Sequence, residues 1–244
     1  MDQKMHLQSG LNNMFLKTPI YICVKAVLIL RQPLLLFIWL FIPSYSHGIQ
    51  IKVHNIPSID SVINLENPNH AVLQDAILQS INRFRAKNNV KSLIWSDSLY
   101  KASKFHLDNM NKRKFFEHND PKDRNYPDLE KRILKFSNKF HCASENLIQY
   151  YPFNFKGKTI EYSTKKVKNR YQYLSPITKK KLEVLTYRQL ADRIVENWSK
   201  SPPHRLNMLN DKFSKVGIAV YFPQYYFNTN ILPLTIVADF GGCM

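Results

Sequence analysis

The sequence predicts an α+β fold in which helices pack on an antiparallel sheet. Two segments with helical periodicity follow residue 69, and two strand-like apolar runs close the chain, an order typical of this fold class. The chain has 244 residues, of which 44% are hydrophobic and 13% aromatic, enough to bury one sizeable core. Composition therefore indicates one globular domain with additional segments, and it excludes a repeat protein or a mostly disordered chain.

The N-terminal 46 residues carry the pattern of a secretory signal peptide. Nine consecutive apolar residues occupy 34–42, three basic residues precede them without an intervening acid, and Ser44 and Ser46 provide a small-x-small exit. The run is too short to cross a bilayer core about 30 Å thick. A second apolar stretch at 26–30 leaves an uncleaved N-terminal membrane anchor as the alternative. We expect cleavage near Ser46 and a secreted, extracellular protein.

Cysteine usage agrees with export. Cleavage would remove Cys23 and leave Cys142 and Cys243, an even pair in an oxidising compartment. We predict that these two cysteines form a disulfide, with two free thiols as the alternative. Their spacing does not resemble a zinc knuckle.

The chain is strongly basic, which favours anionic partners. The formal net charge is +17, and removing four basic residues and one acidic residue with the signal peptide would lower it by three, to +14. Such a charge favours anionic lipid headgroups, sulfated glycans or nucleic acids, although surplus lysine also keeps exported proteins soluble. Export makes nucleic acid an unlikely partner. A long basic insert rich in Tyr and Lys, at about 150–183, is predicted to be a loop with room for a hairpin.

The helices are predicted from three- and four-residue apolar spacing and from their caps. After an extended lead-in at 47–69, a first helix is expected from about residue 70 to 88, capped by Asn69. A second helix is expected at about 97–112, capped by Ser96. Its predicted inner face consists of Leu99, Tyr100, Ala102, Phe105 and Met110.

The second half of the chain shows one more helix and two strands. A loop at 115–124 and a short helix at 127–134 precede the basic insert. Thr186 is placed to cap a helix that presents Leu190, Ile194 and Trp198 on one face, and Pro202-Pro203 should end it. Strands are predicted at 216–222 and 234–240.

Several short motifs, taken in order, resemble the CAP superfamily of cysteine-rich secretory, antigen 5 and pathogenesis-related proteins. The sequence reads FEHNDP at 116–121, SENL at 144–147, WSKSPPHRLNML at 198–209 and VGIAV at 216–220. An N-x-x-R pattern followed by L-x-W-S is also present, formed by Asn82, Arg85, Leu93, Trp95 and Ser96. The resemblance covers about residues 70–241 and identifies 70–244 as a CAP (SCP) domain.

The resemblance implies a fold and a cleft. The fold would be an α-β-α sandwich with a central antiparallel sheet between helical layers. The cleft would contain His118, Glu145 and His204, while the position of the family's second acid is occupied by Ser201. Two imidazoles and a carboxylate could bind a divalent cation such as zinc, or they could hydrogen-bond one another in a structural role. The sequence requires no cofactor.

The resemblance implies binding rather than turnover. We expect a secreted protein that binds a lipid, a sterol, an extracellular protein or an anionic surface. The alternative is a metal-assisted hydrolase that uses the His/Glu cleft. A serine route through Ser201 and His204 lacks the G-x-S-x-G elbow, so we assign no catalytic residue.

Overall fold

The computed structural model describes residues 57–155, 160–227 and 229–242. The predicted signal peptide and residues 47–56 of the lead-in lie outside this part of the chain. The helices are α1 (His70–Lys87), α2 (Asp97–Arg113), α3 (Leu129–Leu134), α4 (Tyr187–Lys200) and α5 (Pro202–Leu209). The strands are β1 (Ile94–Trp95), β2 (Cys142–Tyr150), β3 (Ser163–Val167), β4 (Arg170–Leu174), β5 (Phe213–Tyr221) and β6 (Leu234–Gly242). None of the helices within the described ranges is long and apolar enough to span a membrane.

The central sheet contains four strands in the order β1-β5-β6-β2. The three long strands pair antiparallel, and the two residues of β1 add a short parallel pair to β5. Strand β2 forms one edge of the sheet. The predicted α+β class is therefore confirmed, with a sheet that is antiparallel except at β1.

Helices cover both faces of this sheet. Successive side chains of a strand point to opposite faces, so Val216, Ile218 and Val220 of β5 pack in the main core with α1 and α4. Ala219 of β5 and Val237 of β6 pack on the other face in a second core with α2. This arrangement confirms the α-β-α sandwich that the resemblance implied.

Helix α2 lies directly on β5 because Gly217 has no side chain. A Cβ atom on Gly217 would stand 1.9 Å from the backbone nitrogen of Tyr100 and 2.3 Å from the carbonyl carbon of Leu99. Any larger residue would therefore push the helix off the sheet. This close approach brings the inner face of α2 beside β6.

The inner face of α2 differs from the prediction at several positions. Leu99, Ala102 and Met110 are buried as expected, whereas Tyr100 and Phe105 are only half-buried. The buried face includes instead Ser103, His106 and Leu107. Two polar residues thus face the sheet, where a periodicity of apolar residues does not reveal them.

The predicted caps are confirmed. The side chains of Asn69 and Ser96 accept hydrogen bonds from backbone N–H groups in the first turns of α1 and α2. Thr186 forms a reciprocal capping box with Gln189 at the start of α4. The prediction that Pro202-Pro203 end a helix is correct for α4, but the same prolines begin α5, which was not predicted. Proline suits the first helical turn because its missing N–H would have no intrahelical partner there.

Strands β1 and β2 were not predicted, and the β3–β4 hairpin was predicted only in part. Residues 142–150 form strand β2, although no strand was predicted there. The basic insert contains the β3–β4 hairpin, for which the prediction left room.

The disulfide prediction concerns Cys142, which lies opposite Gly242 in the β2–β6 register, and Cys243, which lies outside the described residues.

Arg85 fixes the segment that carries α5. Its guanidinium is fully buried and donates to four backbone carbonyls, those of Lys91, Met208, Asn210 and Phe213, at 2.6–3.0 Å. These bonds join α1 to the end of α5 and the start of β5. The R of the N-x-x-R pattern therefore has a structural role.

Candidate functional cleft

Glu145 is the centre of the candidate site. It lies in edge strand β2, it is buried, and both of its carboxylate oxygens are engaged. Its Oε1 accepts a hydrogen bond from Nδ1 of His118 at 2.8 Å, and its Oε2 accepts one from Nη2 of Arg132 at 3.0 Å. The structure therefore brings two of the three predicted cleft residues, His118 and Glu145, into direct contact.

Arg132 holds both members of this pair. It is fully buried on α3, and its Nη2 also donates to the backbone carbonyl of His118 at 3.0 Å. Burial acts to raise the pKa of Glu145, but the charge of Arg132, the His118 hydrogen bond and the neighbouring His106 together lower it to about 2. Glu145 is thus ionised at neutral pH and paired with a buried cation.

A second carboxyl group lies beside Glu145. Asp239 of β6 is the register partner of Glu145 and has no solvent exposure. Burial raises its pKa well above the usual value, and the negative charge of Glu145 raises it further. Because Arg132 donates a hydrogen bond to Glu145, the negative charge is favoured on Glu145 and disfavoured on Asp239.

His106 completes the buried side of the cleft. It lies on the inner face of α2, its Nε2 donates to the carbonyl of Glu117 at 2.9 Å, and the same atom is 4.0 Å from Oε1 of Glu145. Burial lowers its pKa despite the opposing effect of the Glu145 charge. The hydrogen bond to Glu117 fixes the start of the loop that presents His118.

His204 lies on α5 and contacts neither His118 nor Glu145 by a hydrogen bond. Its imidazole is buried against the ring of Trp198, with 6.4 Å between the ring centroids, and neither of its nitrogens has a hydrogen-bond partner among the described residues. Burial lowers its pKa to about 4, and the charge of His118 contributes. The two imidazoles are therefore within electrostatic range of each other, and His204 is neutral at pH 7.

The segment WSKSPPHRLNML closes the free edge of β2. Trp198 Nε1 donates to the carbonyl of Leu147 at 3.3 Å, and the side chain of Asn207 donates to the carbonyl of Glu145 at 3.3 Å. In return, the side chain of Asn146 donates to the carbonyl of His204 at 3.1 Å. An exposed strand edge is a site for unwanted pairing, and these bonds satisfy its carbonyls.

Ser201 stands at the junction of the two helices. Its N–H bonds to the carbonyl of Trp198, and its carbonyl accepts from the N–H of Arg205, at 3.2 and 2.9 Å. Its hydroxyl makes no capping bond to α5. The residue at the family's second-acid position thus contributes its backbone to the α4–α5 turn.

The geometry of the three predicted residues does not form a zinc ligand set. No group of three or more His, Cys, Asp or Glu side chains in the described part of the chain is arranged to hold a metal ion. Both Glu145 oxygens and Nδ1 of His118 are used in protein hydrogen bonds. Two imidazoles fall short of the three or four protein ligands that zinc takes. Cation binding at this cleft stays a prediction.

Sequence reasoning missed three buried partners of Glu145, namely His106, Arg132 and Asp239. A signal for Asp239 was present, because it is the single charged residue in the apolar run of β6. His106 also carried a signal, because it lies four residues from both Ala102 and Met110 and so shares their buried face of the helix. Arg132 gave no distinguishing signal, since it lies in a helix with basic neighbours.

The layered fold and the edge strand closed by its two-helix segment define a CAP domain. A family model described as CAP, the cysteine-rich secretory protein family, matches residues 78–232. This match covers more than half of the chain, and the chain belongs to the CAP family. No curated protein sequence matches the chain.

The chain is also similar in fold to several solved structures. An extracellular SCP-domain protein of Bacillus anthracis is 17% identical with a TM-score of 0.46, and the match covers 71% of this chain and 41% of that protein. An outer surface protein of Borrelia burgdorferi is 17% identical with a TM-score of 0.46, covering 70% and 93%. A cysteine-rich secretory protein of Staphylococcus aureus is 13% identical with a TM-score of 0.44, covering 72% and 40%.

Proposed function

We propose that this protein is a secreted CAP-domain protein that binds anionic membrane surfaces through its lysine-rich segment, residues 163–181. The observation that carries the proposal is a set of six exposed lysines in that segment, none of which forms an ion pair with a described residue. These lysines are Lys165, Lys166, Lys168, Lys179, Lys180 and Lys181. Each basic residue held near an anionic leaflet contributes about 1 kcal/mol of binding free energy.

The lysine-rich segment is anchored to the domain on one side. Tyr173 of β4 is buried, and its hydroxyl donates to the backbone carbonyl of Tyr225. Its ring also packs edge-on against Phe153, with 5.6 Å between the centroids. These contacts hold β4 to the core. The exposed lysines of β3 and of the turn after β4 therefore lie on a segment that is attached to the domain.

An exposed apolar residue in the same segment favours a membrane over other polyanions. Ile177 is 82% exposed in a turn closed by the bond from Ser175 N–H to the carbonyl of Lys180, at 2.8 Å. Basic residues next to an exposed apolar side chain are typical of proteins that lie in a lipid interface. A sulfated glycan or a nucleic acid would match the lysines but would give the isoleucine no apolar environment.

A lipid ligand agrees with what the CAP resemblance implies, and the test below compares anionic lipid with sterol. A metal-assisted hydrolase, the alternative raised by the sequence, has no specific observation in its favour among the described residues. The His118–Glu145 pair is held in place by Arg132, which supports a structural role for the cleft.

Vesicle co-sedimentation tests the proposal. The protein should sediment more strongly with vesicles of phosphatidylcholine containing anionic phospholipid than with vesicles of phosphatidylcholine and sterol alone. Replacing Lys179, Lys180 and Lys181 with Gln should weaken binding by about a hundredfold, since three contacts of about 1 kcal/mol each are removed and about 1.4 kcal/mol corresponds to a factor of ten. Ile177→Ser should weaken it further without changing its dependence on salt.

A matched control separates position from net charge. Lys91, Lys101 and Lys122 are exposed and lie outside the lysine-rich segment, so their triple replacement with Gln changes the net charge equally. This variant should sediment like the wild type. An equal loss of vesicle binding in both triple variants would mean that binding depends on net charge and not on the lysine-rich segment, which would contradict the proposal. Tight binding to heparin without binding to anionic vesicles would overturn the membrane assignment.

A further inference from the structure

Three aromatic rings surround the ammonium group of Lys135. Its Nζ lies 3.8 Å from the ring centroid of Tyr126, 5.0 Å from that of Phe105 and 5.8 Å from that of Phe136. The rings come from α2, from the loop before α3 and from the residue after Lys135. They support one another, because Phe105 packs edge-on against Tyr126 at 5.6 Å and against Phe136 at 6.2 Å.

This aromatic cage, formed by Phe105, Tyr126 and Phe136, is open to solvent. All three residues are half-buried, and Lys135 is exposed. No carboxylate of the described residues forms an ion pair with Lys135, so the ring faces supply the electrostatic partner of its ammonium. The cage therefore stabilises a positive charge without a counter-ion, which is the property of sites that recognise quaternary ammonium groups.

A trimethylammonium group suits the cage better than lysine does. A cation is attracted by a ring when it lies within about 6 Å of the centroid, and all three distances fall in this range. The lysine ammonium is strongly hydrated and loses much of that hydration between rings. The methyl groups of a trimethylammonium carry little hydration and add apolar contact with all three rings.

We propose that the aromatic cage is a binding site for the trimethylammonium group of choline-type headgroups, and that Lys135 occupies it in the free protein. The cage shares no residue with the His118–Glu145 pair or with the lysine-rich segment, so it does not depend on the proposed function. The ligand displaces the Lys135 side chain, which swings into solvent. The ammonium of Lys135 thus competes with the ligand for the cage and lowers the affinity of the protein for trimethylammonium groups.

Titration with choline tests this proposal by calorimetry or by NMR of the aromatic side chains. Choline should bind the Lys135→Ala variant about tenfold more tightly than the wild type, the factor expected if the lysine fills the cage in about nine-tenths of the molecules. The uncharged isostere 3,3-dimethylbutan-1-ol should bind at least about tenfold more weakly than choline, because it lacks the cation. No choline binding by Lys135→Ala, or equal binding of the isostere, would overturn the proposal.

Two variants serve as controls for position and for ring chemistry. Lys131→Ala removes the same charge one turn earlier on α3, from a side chain that is 55% exposed, and should leave choline binding unchanged. In the Lys135→Ala background, Tyr126→Phe should retain binding, whereas Tyr126→Leu should lose it with an unchanged far-UV spectrum. Retained binding in Tyr126→Leu would contradict a role for the ring.

Vesicles distinguish a lipid headgroup from a free choline compound. Lys135→Ala should sediment with uncharged phosphatidylcholine vesicles more than with phosphatidylethanolamine vesicles, which lack the methyl groups, if the lipid is the source. Binding of phosphocholine in solution without a preference between the vesicles would assign a free compound as the source. If Lys135→Ala bound neither phosphocholine in solution nor phosphatidylcholine vesicles, the proposed site would be wrong.

Discussion

Glu145 and Asp239 lie opposite each other on β2 and β6, both buried, and their carboxyl pKa values move in opposite directions. The pKa of Glu145 is lowered to about 2, and that of Asp239 is raised well above its usual value. The difference arises because Arg132 donates to Glu145, so that Glu145 takes the one charge that the site can compensate. The negative charge is therefore favoured on Glu145, and ionisation of Asp239 is disfavoured.

Replacing Asp239 with Asn should stabilise the protein above about pH 5. Because the folded-state pKa of Asp239 is raised, ionisation favours the unfolded chain, and the free energy of unfolding of the wild type falls as pH rises above the ordinary aspartate pKa. The loss is at most about 1.4 kcal/mol per pH unit. Urea unfolding between about pH 4 and 8 should show a difference that grows with pH. An equal difference at every pH would refute this assignment.

Replacing Arg132 with Met should destabilise the protein by about 3–5 kcal/mol at neutral pH, because Glu145 would be left as an unpaired buried charge. The lowered pKa of Glu145 means that its contribution to stability is present above about pH 4.5 and is lost as pH falls toward 2. Wild type and variant should therefore converge in urea unfolding at acid pH. Lys131→Met, at the neighbouring exposed position, should change stability little. If Arg132→Met lowered the free energy of unfolding by less than Lys131→Met does, the buried ion pair between Arg132 and Glu145 would be contradicted.

His204 should titrate near pH 4. Burial lowers its pKa to about 4, so the folded state keeps a neutral imidazole and loses stability as pH falls from about 6.5 toward 4. The proton and carbon shifts of the ring, followed by NMR against pH, measure this value directly. A midpoint near that of an ordinary histidine would mean that α5 leaves the ring accessible to water.

Replacing Arg85 with Lys should destabilise the protein by about 1–3 kcal/mol. A lysine offers three N–H donors, whereas the guanidinium of Arg85 satisfies four buried backbone carbonyls, so at least one carbonyl loses its partner. Arg83→Lys, which alters an exposed ion pair with Asp192, is the matched control and should cost well under about 1 kcal/mol. Chemical unfolding measures both. Equal effects would show that burial of Arg85 is unimportant.

The disulfide between Cys142 and Cys243 remains a prediction from the sequence. If the chain is exported as the sequence predicts, both thiols should resist alkylation until a reductant is added. Closing a loop of about 100 residues contributes up to about 4–5 kcal/mol in the chain-entropy model. Replacing both cysteines with Ala should lower the melting temperature accordingly. Rapid alkylation without a reductant would exclude the bond.

Local signals predicted helices α1, α2 and α4 and the residues at which they begin. Asn69, Ser96 and Thr186 act as caps in the structure because the hydrogen bond from a cap depends only on residues two or three positions away. The apolar period of α1 likewise reports a face that any packing partner would bury. These features were predictable because their causes lie within one or two helical turns.

Features that depend on distant partners were not predicted. Strand β2 has a polar start, and it becomes a strand because β6 pairs along its full length. His106 and Arg132 are polar residues on helices, and only the convergence of α2 and α3 on Glu145 gives them a buried role. Helix α5 was overlooked because the same prolines that end one helix can begin the next.

The sequence by itself determined the α+β class, the helix caps, the CAP motifs and the concentration of lysine in the insert, since each follows from neighbouring residues or from composition. Only the tertiary structure decided that Glu145 hydrogen-bonds to His118 and Arg132, that His204 makes no hydrogen bond to them, and that the ammonium of Lys135 lies among three aromatic rings. Such contacts join residues far apart in the chain, and their geometry is set by how helices and strands pack rather than by any local pattern.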